Sequence, residues 1–318
     1  MSIKLLPGDC RDVLKTMPAQ SVHCCVTSPP YFGLRDYGHA GQIGLEATPD
    51  AFVAEMVAVF REMRRVLRDD GTLWLNLGDS YASGGSGGYG PASTLAGYTS
   101  ENTKGRHAYA NVITRKPSPG FKPKDLIGIP WRVAFALQAD GWYLRQDIIW
   151  SKPNPMPESV TDRCTKAHEY IFLMSKSARY FYDAAAIAEQ SVCPDGPGNI
   201  KPYIVAGERK GENANLGGNV HKIGPRETRN KRSVWEVATQ PYAEAHFATF
   251  PPALIEPCIL AGCPKGGTVL DPFGGAGTTG LVADRLGRNA FLIELNPEYA
   301  AMAERRIRSD AGMFAEIS

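Results

Sequence analysis

The segment Gly267-Thr268-Val269-Leu270-Asp271-Pro272-Phe273-Gly274-Gly275-Ala276-Gly277-Thr278-Thr279 joins an apolar run, an acidic residue and a glycine-rich loop. Residues 267–271 predict a strand, and the residues from about Thr279 to Leu286 predict a helix. Glycine lets the backbone turn sharply between them and lets a ligand come close to it. A second predicted strand, Asn289–Leu295, carries Glu294 near its end. This order predicts two parallel strands with a ligand-binding loop between them.

The rest of the chain alternates between predicted helices and predicted strands. The helices are Ala51–Leu67, Pro130–Ala139 and Pro252–Leu260, and the strands are Val22–Thr27, Thr72–Leu77 and Trp142–Trp150. Tyr170–Met174 and Tyr180–Tyr182 predict a hairpin. This alternation predicts a mainly parallel sheet that is covered by helices on both faces.

Composition excludes several classes of protein. The chain has 318 residues, a formal net charge of +2 and seven cysteines without a Cys-x-x-Cys spacing. We therefore expect no disulfide framework and no metal site. No apolar run approaches the roughly 20 residues that a membrane span needs, and the apolar N-terminal stretch is too short for a signal peptide. These features predict a cytoplasmic protein that does not enter a membrane.

A second motif, Thr27-Ser28-Pro29-Pro30-Tyr31, follows the first predicted strand. Proline has no backbone N–H to donate, but the carbonyl oxygens around it remain acceptors. The Ser28 hydroxyl and the Pro29 carbonyl can therefore hold the two N–H bonds of an amine, while Tyr31 can stack on a flat ring. The motif predicts a pocket for a base that carries an exocyclic amine.

The two motifs resemble those of the amino-methylating DNA methyltransferases, and their order resembles that of the circularly permuted β group of this family. The glycine loop lacks the Gly-x-Gly-x-x-Gly fingerprint of dinucleotide-binding dehydrogenases. The resemblance implies an α/β fold with a doubly wound, mainly parallel, seven-stranded sheet, circularly permuted, with two large irregular insertions. It also implies methyl transfer from S-adenosylmethionine (SAM) to a base flipped out of duplex DNA. Serine at position 28 is typical of enzymes that act on cytosine N4, whereas aspartate there is typical of adenine-N6 enzymes.

The resemblance assigns roles to individual residues. The catalytic residues would be Ser28, Pro29, Pro30 and Tyr31. The cofactor would be bound by Asp9, Cys10, Phe247, Thr249, Asp271, Phe273, Gly275, Gly277, Thr278, Thr279, Glu294 and Asn296. In this set Asp271 would accept the ammonium group, Thr278 and Thr279 would donate to the carboxylate, Phe273 would line the adenine slot, and Glu294 would bind the ribose.

The segment Trp150-Ser151-Lys152-Pro153-Asn154-Pro155 resembles the family's segment at the edge of the target pocket. Contacts with DNA would come from Lys152, Asn154, Arg229, Lys231 and Arg232. The adjacent His168 and Glu169 invite a general-base role. We expect a structural pair instead, because the amine proton is acidic enough after attack to go to water.

The catalytic domain would comprise residues 1–82, 126–182 and 233–318. Residues 83–125 would form a flexible insertion, and the basic segment 183–232 would recognise the DNA target. Duplex DNA is the expected partner, and a cognate restriction endonuclease and a homodimer are compatible with the resemblance. Three alternatives remain open: the same reaction on adenine N6, methylation of RNA or of a protein amide, and a catalytically silent nucleic-acid binder.

Overall fold

The computed structural model describes residues 1–39, 41–82, 120–191, 227–240, 249–311 and 316–317. The chain forms two compact units, one comprising Met1–Tyr182 with Ser233–Ser318 and the other comprising Asp183–Arg232. Most of the predicted flexible insertion, residues 83–119, lies outside the described residues. Its described stem is closed by backbone hydrogen bonds from Ala82 N to Asp125 O (2.8 Å) and from Lys124 N to Ala82 O (2.9 Å).

The described helices and strands alternate along most of the first unit. Its helices are α1 (Cys10–Thr16), α2 (Pro49–Val66), α3 (Ile129–Ala139), α4 (Pro252–Gly262), α5 (Thr278–Arg285) and α6 (Pro297–Ala311). Its strands are β1 (Ser2–Pro7), β2 (Val22–Thr27), β3 (Leu67–Leu77), β4 (Tyr143–Ser151), β5 (His168–Ser175), β8 (Val234–Glu236), β9 (Thr268–Asp271), β10 (Asn289–Glu294) and β11 (Glu316–Ile317). In the second unit, β6 (Glu189–Gln190) pairs with β7 (Thr228–Arg229).

The sheet of the first unit has the strand order β11-β1-β10-β9-β2-β3-β5-β4-β8 in the described part of the chain. Only the pairs that include β5 are antiparallel. The late strands β9 and β10 lie between β1 and β2, as the permuted order requires. The predicted α/β fold is therefore confirmed, with two short strands, β8 and β11, added to the seven predicted ones.

The sheet is covered on both faces because side chains along each strand point alternately to opposite sides. Cys25, Leu73 and Leu270 join the buried cluster that includes the apolar sides of α1, α2 and α3. On the opposite face, Cys24 and Trp74 lie against Gly262 at the end of α4. One buried core thus lies under α1–α3, and the C-terminal helix α4 packs on the other face.

Helix α2 shows how the sequence specifies these elements. The Thr48 hydroxyl caps its first turn by accepting from Ala51 N at 3.1 Å, and Pro49 supplies a preset backbone angle at the start. Its apolar residues recur at helical spacing and are buried against the sheet.

One element was predicted wrongly. Strand β5 pairs with β3 and β4, whereas Tyr180–Tyr182 forms no strand and no hairpin with it. Phe181 N donates to Asp70 O at 2.8 Å, and the ring of Tyr182 stacks on Trp74 with centroids 6.3 Å apart. The aromatic run therefore reflects packing on the edge of the core and not β pairing.

Among the described residues, no helix has the length and apolar character needed to cross a membrane. Nor does this part of the chain contain a group of three or more His, Cys, Asp or Glu side chains that could hold a metal ion.

Candidate active site

The two sequence motifs meet at one edge of the sheet. Strands β2 and β9 are parallel neighbours, so their carboxyl ends, Thr27 and Asp271, lie side by side. The Thr27 hydroxyl donates to Asp271 Oδ1 at 2.6 Å across a sequence separation of 244 residues. The Ser28–Tyr31 segment and the glycine loop therefore leave the sheet next to each other, where open α/β sheets bind their ligands.

Asp271 ties these segments together from inside the protein. Its side chain is buried, Thr279 Oγ1 donates to Oδ2 at 2.7 Å, and Phe273 N donates to Oδ1 at 3.0 Å. Burial raises the pKa of Asp271 to about 6, although these hydrogen bonds oppose the rise. Both carboxylate oxygens thus accept hydrogen bonds from the protein, and direct contact with an ammonium group stays a prediction.

The glycine loop has one open side. The φ angles of Gly275 and Gly277 are +50° and +76°, a region that favours glycine. A Cβ on Gly277 would lie 2.8 Å from Ala303 Cβ of α6, so that side of the loop is closed. A Cβ on Gly275 would meet nothing nearer than Phe273 O at 3.8 Å. Space for a ligand is therefore available at Gly275.

Glu294 lies beside this open side at the end of β10. Its Oε2 accepts from Gly275 N at 2.7 Å, and its Oε1 accepts from Asn296 N at 2.8 Å. Burial raises the pKa of Glu294, and the two backbone hydrogen bonds oppose this rise. Each carboxylate oxygen retains a lone pair, so Glu294 can still accept from ligand hydroxyl groups. The open side of the loop and the acceptor beside it therefore fit a nucleoside-bearing cofactor.

Two threonines of the predicted cofactor set have hydroxyl groups that already bind the protein. Thr279 donates to Asp271, and Thr278 Oγ1 accepts from Arg306 Nη1 at 2.9 Å. These contacts hold α5 to β9 and to α6. Thr279 uses its hydroxyl proton on Asp271, whereas Thr278 only accepts and can still donate. Donation to the SAM carboxylate stays a prediction.

The remaining predicted cofactor residues are more scattered. Gly8 N bonds Glu294 O at 2.9 Å, which brings the Asp9–Cys10 segment to the end of β10. Asp9 caps α1 and pairs with Arg11, while burial raises the pKa of the Cys10 thiol to about 12. Thr249 is half-buried ahead of α4. Phe247 lies outside the described residues.

The motif Thr27–Tyr31, the base-pocket motif, is part of a hydrogen-bond network. Ser28 Oγ and the Tyr31 hydroxyl each lie 3.2 Å from Asn76 Oδ1 and 3.5 Å from each other. Tyr31 also donates to Glu169 Oε2 at 2.6 Å. Of the two prolines between Ser28 and Tyr31 in the sequence, Pro29 is buried and Pro30 is half-buried. The motif thus emerges from β2 with its hydroxyl groups held by β3 and β5.

The predicted contacts of Lys152 and Asn154 with DNA stay predictions, and both side chains also bind the protein. The Lys152 ammonium pairs with Glu169 Oε1 and lies 4.2 Å from the centre of the Trp150 ring. Asn154 exchanges two hydrogen bonds with the backbone of Thr239, at 2.9 and 3.2 Å. These contacts tie the segment after β4 to Glu169 of β5 and to the backbone of Thr239.

Sequence reasoning missed Asn76 and the role of Glu169. Asn76 is a polar residue inside the otherwise apolar strand segment Leu73–Leu77, and that position was the available signal. The expected structural pair of His168 and Glu169 does not form, because the His168 ring packs edge-on against Tyr170 while Glu169 bonds Tyr31 and Lys152. Successive residues of β5 point to opposite faces.

The three basic residues predicted to bind DNA in the second unit surround one acid. Arg229 Nε, Lys231 Nζ and Arg232 Nε lie 3.4, 3.9 and 3.1 Å from the carboxylate of Glu189. Three positive charges against one negative charge leave a positive excess, which suits contact with phosphates. Their role in DNA binding stays a prediction.

Similar proteins of known family share this chain's sequence over nearly its whole length. It is 47% identical over 307 residues to Type II methyltransferase M.SmaI of Serratia marcescens, which covers 96% of this chain and 91% of that protein. It is 47% identical over 306 residues to Type II methyltransferase M.Cfr9I of Citrobacter freundii, covering 96% and 88%.

Solved structures share the fold at low identity. The PvuII DNA methyltransferase, described as cytosine-N4-specific, aligns with a TM-score of 0.61 and 18% identity over 98% of this chain and 92% of that one. A candidate DNA modification methylase from Thermus thermophilus, complexed with S-adenosyl-L-methionine, aligns with a TM-score of 0.59 and 24% identity over 99% of both chains. The model of the DNA methylase family matches residues 22–305. The chain therefore belongs to the DNA methylase family.

Proposed function

We propose that this DNA methylase transfers a methyl group from SAM to the N4 amine of cytosine in duplex DNA. The observation that carries the proposal is the hydrogen bond between Thr27, the first residue of the base-pocket motif, and Asp271, the last residue of the strand before the glycine loop. A site for a base amine and a site for a nucleoside-bearing cofactor are thereby adjacent.

The proposed reaction needs acceptors for the amine. The lone pair of an exocyclic amine is delocalised into the ring, so acceptors around the N–H bonds free it for attack. Ser28 Oγ and the Pro29 carbonyl would supply them, in the way that preorganised groups stabilise developing charge. SAM supplies a methyl group on a sulfonium that is already a good leaving group, and positioning then accounts for most of the rate.

The cofactor would lie along the open side of the glycine loop. Gly275 leaves room for close approach, and Glu294, next to it, retains acceptor capacity for ribose hydroxyls. Phe273 would line the adenine slot. Asp271 would act by fixing the loop to β2 as much as by attracting the ammonium group.

The choice of cytosine over adenine rests on Ser28. The family motif carries serine in cytosine-N4 enzymes, and the structurally similar PvuII enzyme is described as cytosine-N4-specific. A hydroxyl and a carboxylate can both accept from an amine, so adenine N6 is the alternative outcome of the test.

We further propose a place for the enzyme in the cell. The relatives are named Type II methyltransferases, and the activity would protect DNA from a cognate restriction endonuclease in the cytoplasm, with a homodimer as the candidate assembly. DNA from expressing cells should then resist an endonuclease that cleaves the same recognition sequence when it is unmethylated, and cleavage at every such site would refute this role. Light scattering of the purified protein should give the dimer mass, and a monomer mass would exclude the dimer.

Sequencing of modified bases in DNA from cells that express the chain tests the function. We expect N4-methylcytosine at one sequence context, and we expect Ser28→Ala to lower its level by about 100-fold or more. N6-methyladenine as the modified base would refute the cytosine assignment. Unmodified DNA, with methylated RNA or protein instead, would refute the proposed substrate.

A further inference from the structure

Glu169 holds two groups of the base-pocket network at once. Its Oε2 accepts from the Tyr31 hydroxyl at 2.6 Å and lies 3.4 Å from Asn76 Nδ2, and its Oε1 pairs with the Lys152 ammonium. The side chains of Glu169 and Lys152 are only 15% and 17% exposed. Both oxygens of this largely buried carboxylate therefore bind other side chains of the protein.

Strand register brings these partners together. Trp150 is opposite Glu169 in the β4–β5 pair, and Leu77 is opposite Tyr170 in the β3–β5 pair. Lys152, just after β4, and Asn76, near the end of β3, thus flank the first residues of β5. Thr27 is opposite Leu75 in the β2–β3 pair, so the serine–proline motif leaves the sheet at the same edge.

The charges make Glu169 a strong acceptor for the Tyr31 hydroxyl. A buried carboxylate without a partner is costly, and the Lys152 ammonium supplies the opposite charge. A hydrogen bond to a charged acceptor is shorter and stronger than one between neutral groups. Burial raises the pKa of Tyr31 well above its usual value, so the phenol keeps its proton and remains the donor.

Room for the tyrosine ring is part of the same arrangement. A Cβ on Gly78 would lie 2.4 Å from Tyr31 Cε2, so the backbone after β3 lies directly beside the ring. Gly78 beside one edge of the Tyr31 ring and the Glu169 carboxylate at its hydroxyl together restrict the orientation of the ring.

We propose that Glu169 is a positioning residue: through the Tyr31 hydroxyl it fixes the ring on which the flipped target base stacks, while Lys152 balances its charge. This inference rests on the proposed function. In this role Glu169 acts on the substrate only through Tyr31, because its Oε2 accepts from the Tyr31 hydroxyl and lies against Asn76 while its Oε1 pairs with Lys152.

A double-mutant cycle between Tyr31 and Glu169 tests this assignment. A misplaced reacting group can slow transfer by about 100-fold, so Glu169→Ala should lower the single-turnover methylation rate by about 10- to 100-fold. Tyr31→Phe should lower it similarly. The double variant should be no slower than the slower single variant, because both changes remove one interaction.

Glu169→Gln distinguishes positioning from base catalysis. Glutamine keeps an acceptor oxygen for the Tyr31 hydroxyl, so this variant should recover most of the rate lost in Glu169→Ala. The inference is overturned if the losses in the double variant multiply. It is equally overturned if Glu169→Gln is as slow as Glu169→Ala, or if Glu169→Ala methylates at the wild-type rate.

An ion pair near the other end of β5 serves as the control. Asp69 pairs with Lys176 at 2.8 Å beyond the other end of β5, roughly 23 Å from Glu169 along an extended strand. Asp69→Asn should leave the rate unchanged. SAM affinity and thermal unfolding of every variant report whether it folds. If Glu169→Ala does not fold, the comparison of Glu169→Gln with the wild type still decides the test.

Failure of the proposed function would look different. It would appear as absence of DNA methylation by the wild-type protein, before any variant is compared. If the wild type methylates DNA and the Glu169 variants methylate it at the same rate, only the positioning role is refuted.

Discussion

Asp271 is a carboxylate enclosed by hydroxyl and amide donors from three segments. Burial raises its pKa from 3.8 to about 6, so the folded protein binds a proton at Asp271 more readily than the unfolded chain does. Thr27, Thr279 and Phe273 donate hydrogen bonds to the charged carboxylate and thereby limit this rise of the pKa. The residue therefore joins the two motifs at the expense of some stability at neutral pH.

A pH dependence follows from this raised pKa. The stability contribution of Asp271 is greatest below pH 3.8 and falls as pH rises through about 6, by about 1.4 kcal/mol for each unit of pKa shift. Asp271→Asn removes this titration. Urea unfolding of both proteins at several pH values should show the wild type losing stability relative to Asp271→Asn as pH rises through that window. A difference that does not vary with pH, or that changes in the opposite direction, contradicts the account of Asp271.

Gly78 makes a second residue-scale prediction. Gly78→Ala would push a methyl group to 2.4 Å from the Tyr31 ring, so the ring should move and methylation should slow by about 10- to 100-fold. SAM affinity should not change, because the glycine loop belongs to other elements. Single-turnover assays and calorimetric titration measure the two quantities.

Gly262→Ala is the matched control for that change. Its Cβ would lie 2.5 Å from Thr72 Oγ1 and from Trp74 Nε1, in the packing of α4 on the sheet. Both variants are overpacked and should lose about 1–3 kcal/mol of stability, but only Gly78→Ala should slow transfer by the folded enzyme. Equal rates in the two variants would show that the position of the Tyr31 ring is unimportant.

The glycine loop could be predicted from the sequence as one continuous segment, whereas the polar partners of the base-pocket motif could not. The loop is continuous, so its glycines and acid stand together in the chain. Tyr31 and Glu169 are 138 residues apart, and Tyr31 and Asn76 are 45 apart. Such contacts depend on strand register, which one sequence does not specify.

At the scale of elements, the glycine loop is held between β9, α5 and α6. Gly277 is the N-cap of α5 with a φ of +76°, and a Cβ there would lie 2.8 Å from Ala303 Cβ and 3.2 Å from Ile307 Cδ1. Gly266 has nearly the same φ, +75°, but a Cβ there would meet nothing within 4 Å. The two glycines separate backbone strain from helix packing.

Replacing each glycine by alanine should separate the two effects. Both variants introduce a left-handed alanine, which costs about 1–2 kcal/mol. Gly277→Ala should lose a further 1–3 kcal/mol or so from overpacking against α6 and should weaken SAM binding, since the loop must shift. Chemical denaturation and calorimetric titration measure these losses. Equal stability and equal SAM affinity in the two variants would refute the packing of α6 on the loop.

Elements with strong local periodicity were predicted to within a few residues, as α2, β2 and the β9–β10 pair show. The hairpin prediction failed because β5 pairs with β3 and β4, whose partners are set by the sheet and not by neighbouring sequence. The aromatic residues after β5 gave a local pattern that packing on Trp74, and not strand pairing, explains.

At the scale of the whole molecule, affinity for DNA should depend on the positive cluster of the second unit. Arg229, Lys231 and Arg232 leave an excess of charge over Glu189. Replacing all three by glutamine should reduce the slope of log affinity against log salt by about one unit for each residue that contacts a phosphate. Fluorescence anisotropy with a labelled duplex at several salt concentrations measures this slope.

A charge-matched control is available in the first unit. Lys15, Arg285 and Arg308 lie in the last turns of α1, α5 and α6. Helices that follow parallel strands run back across the sheet, so these turns lie toward the edge opposite the ligand-binding one. Neutralising them should leave the salt slope unchanged. Equal slopes in both triple variants would contradict the assignment of the second unit to DNA.

The most direct test of the whole account is a single-turnover reaction of the purified protein with duplex DNA and methyl-labelled SAM, followed by digestion of the DNA to nucleosides. We predict label in N4-methylcytosine with wild-type protein and a loss of about 100-fold or more with Ser28→Ala. Label in N6-methyladenine, or no label in DNA, would contradict it.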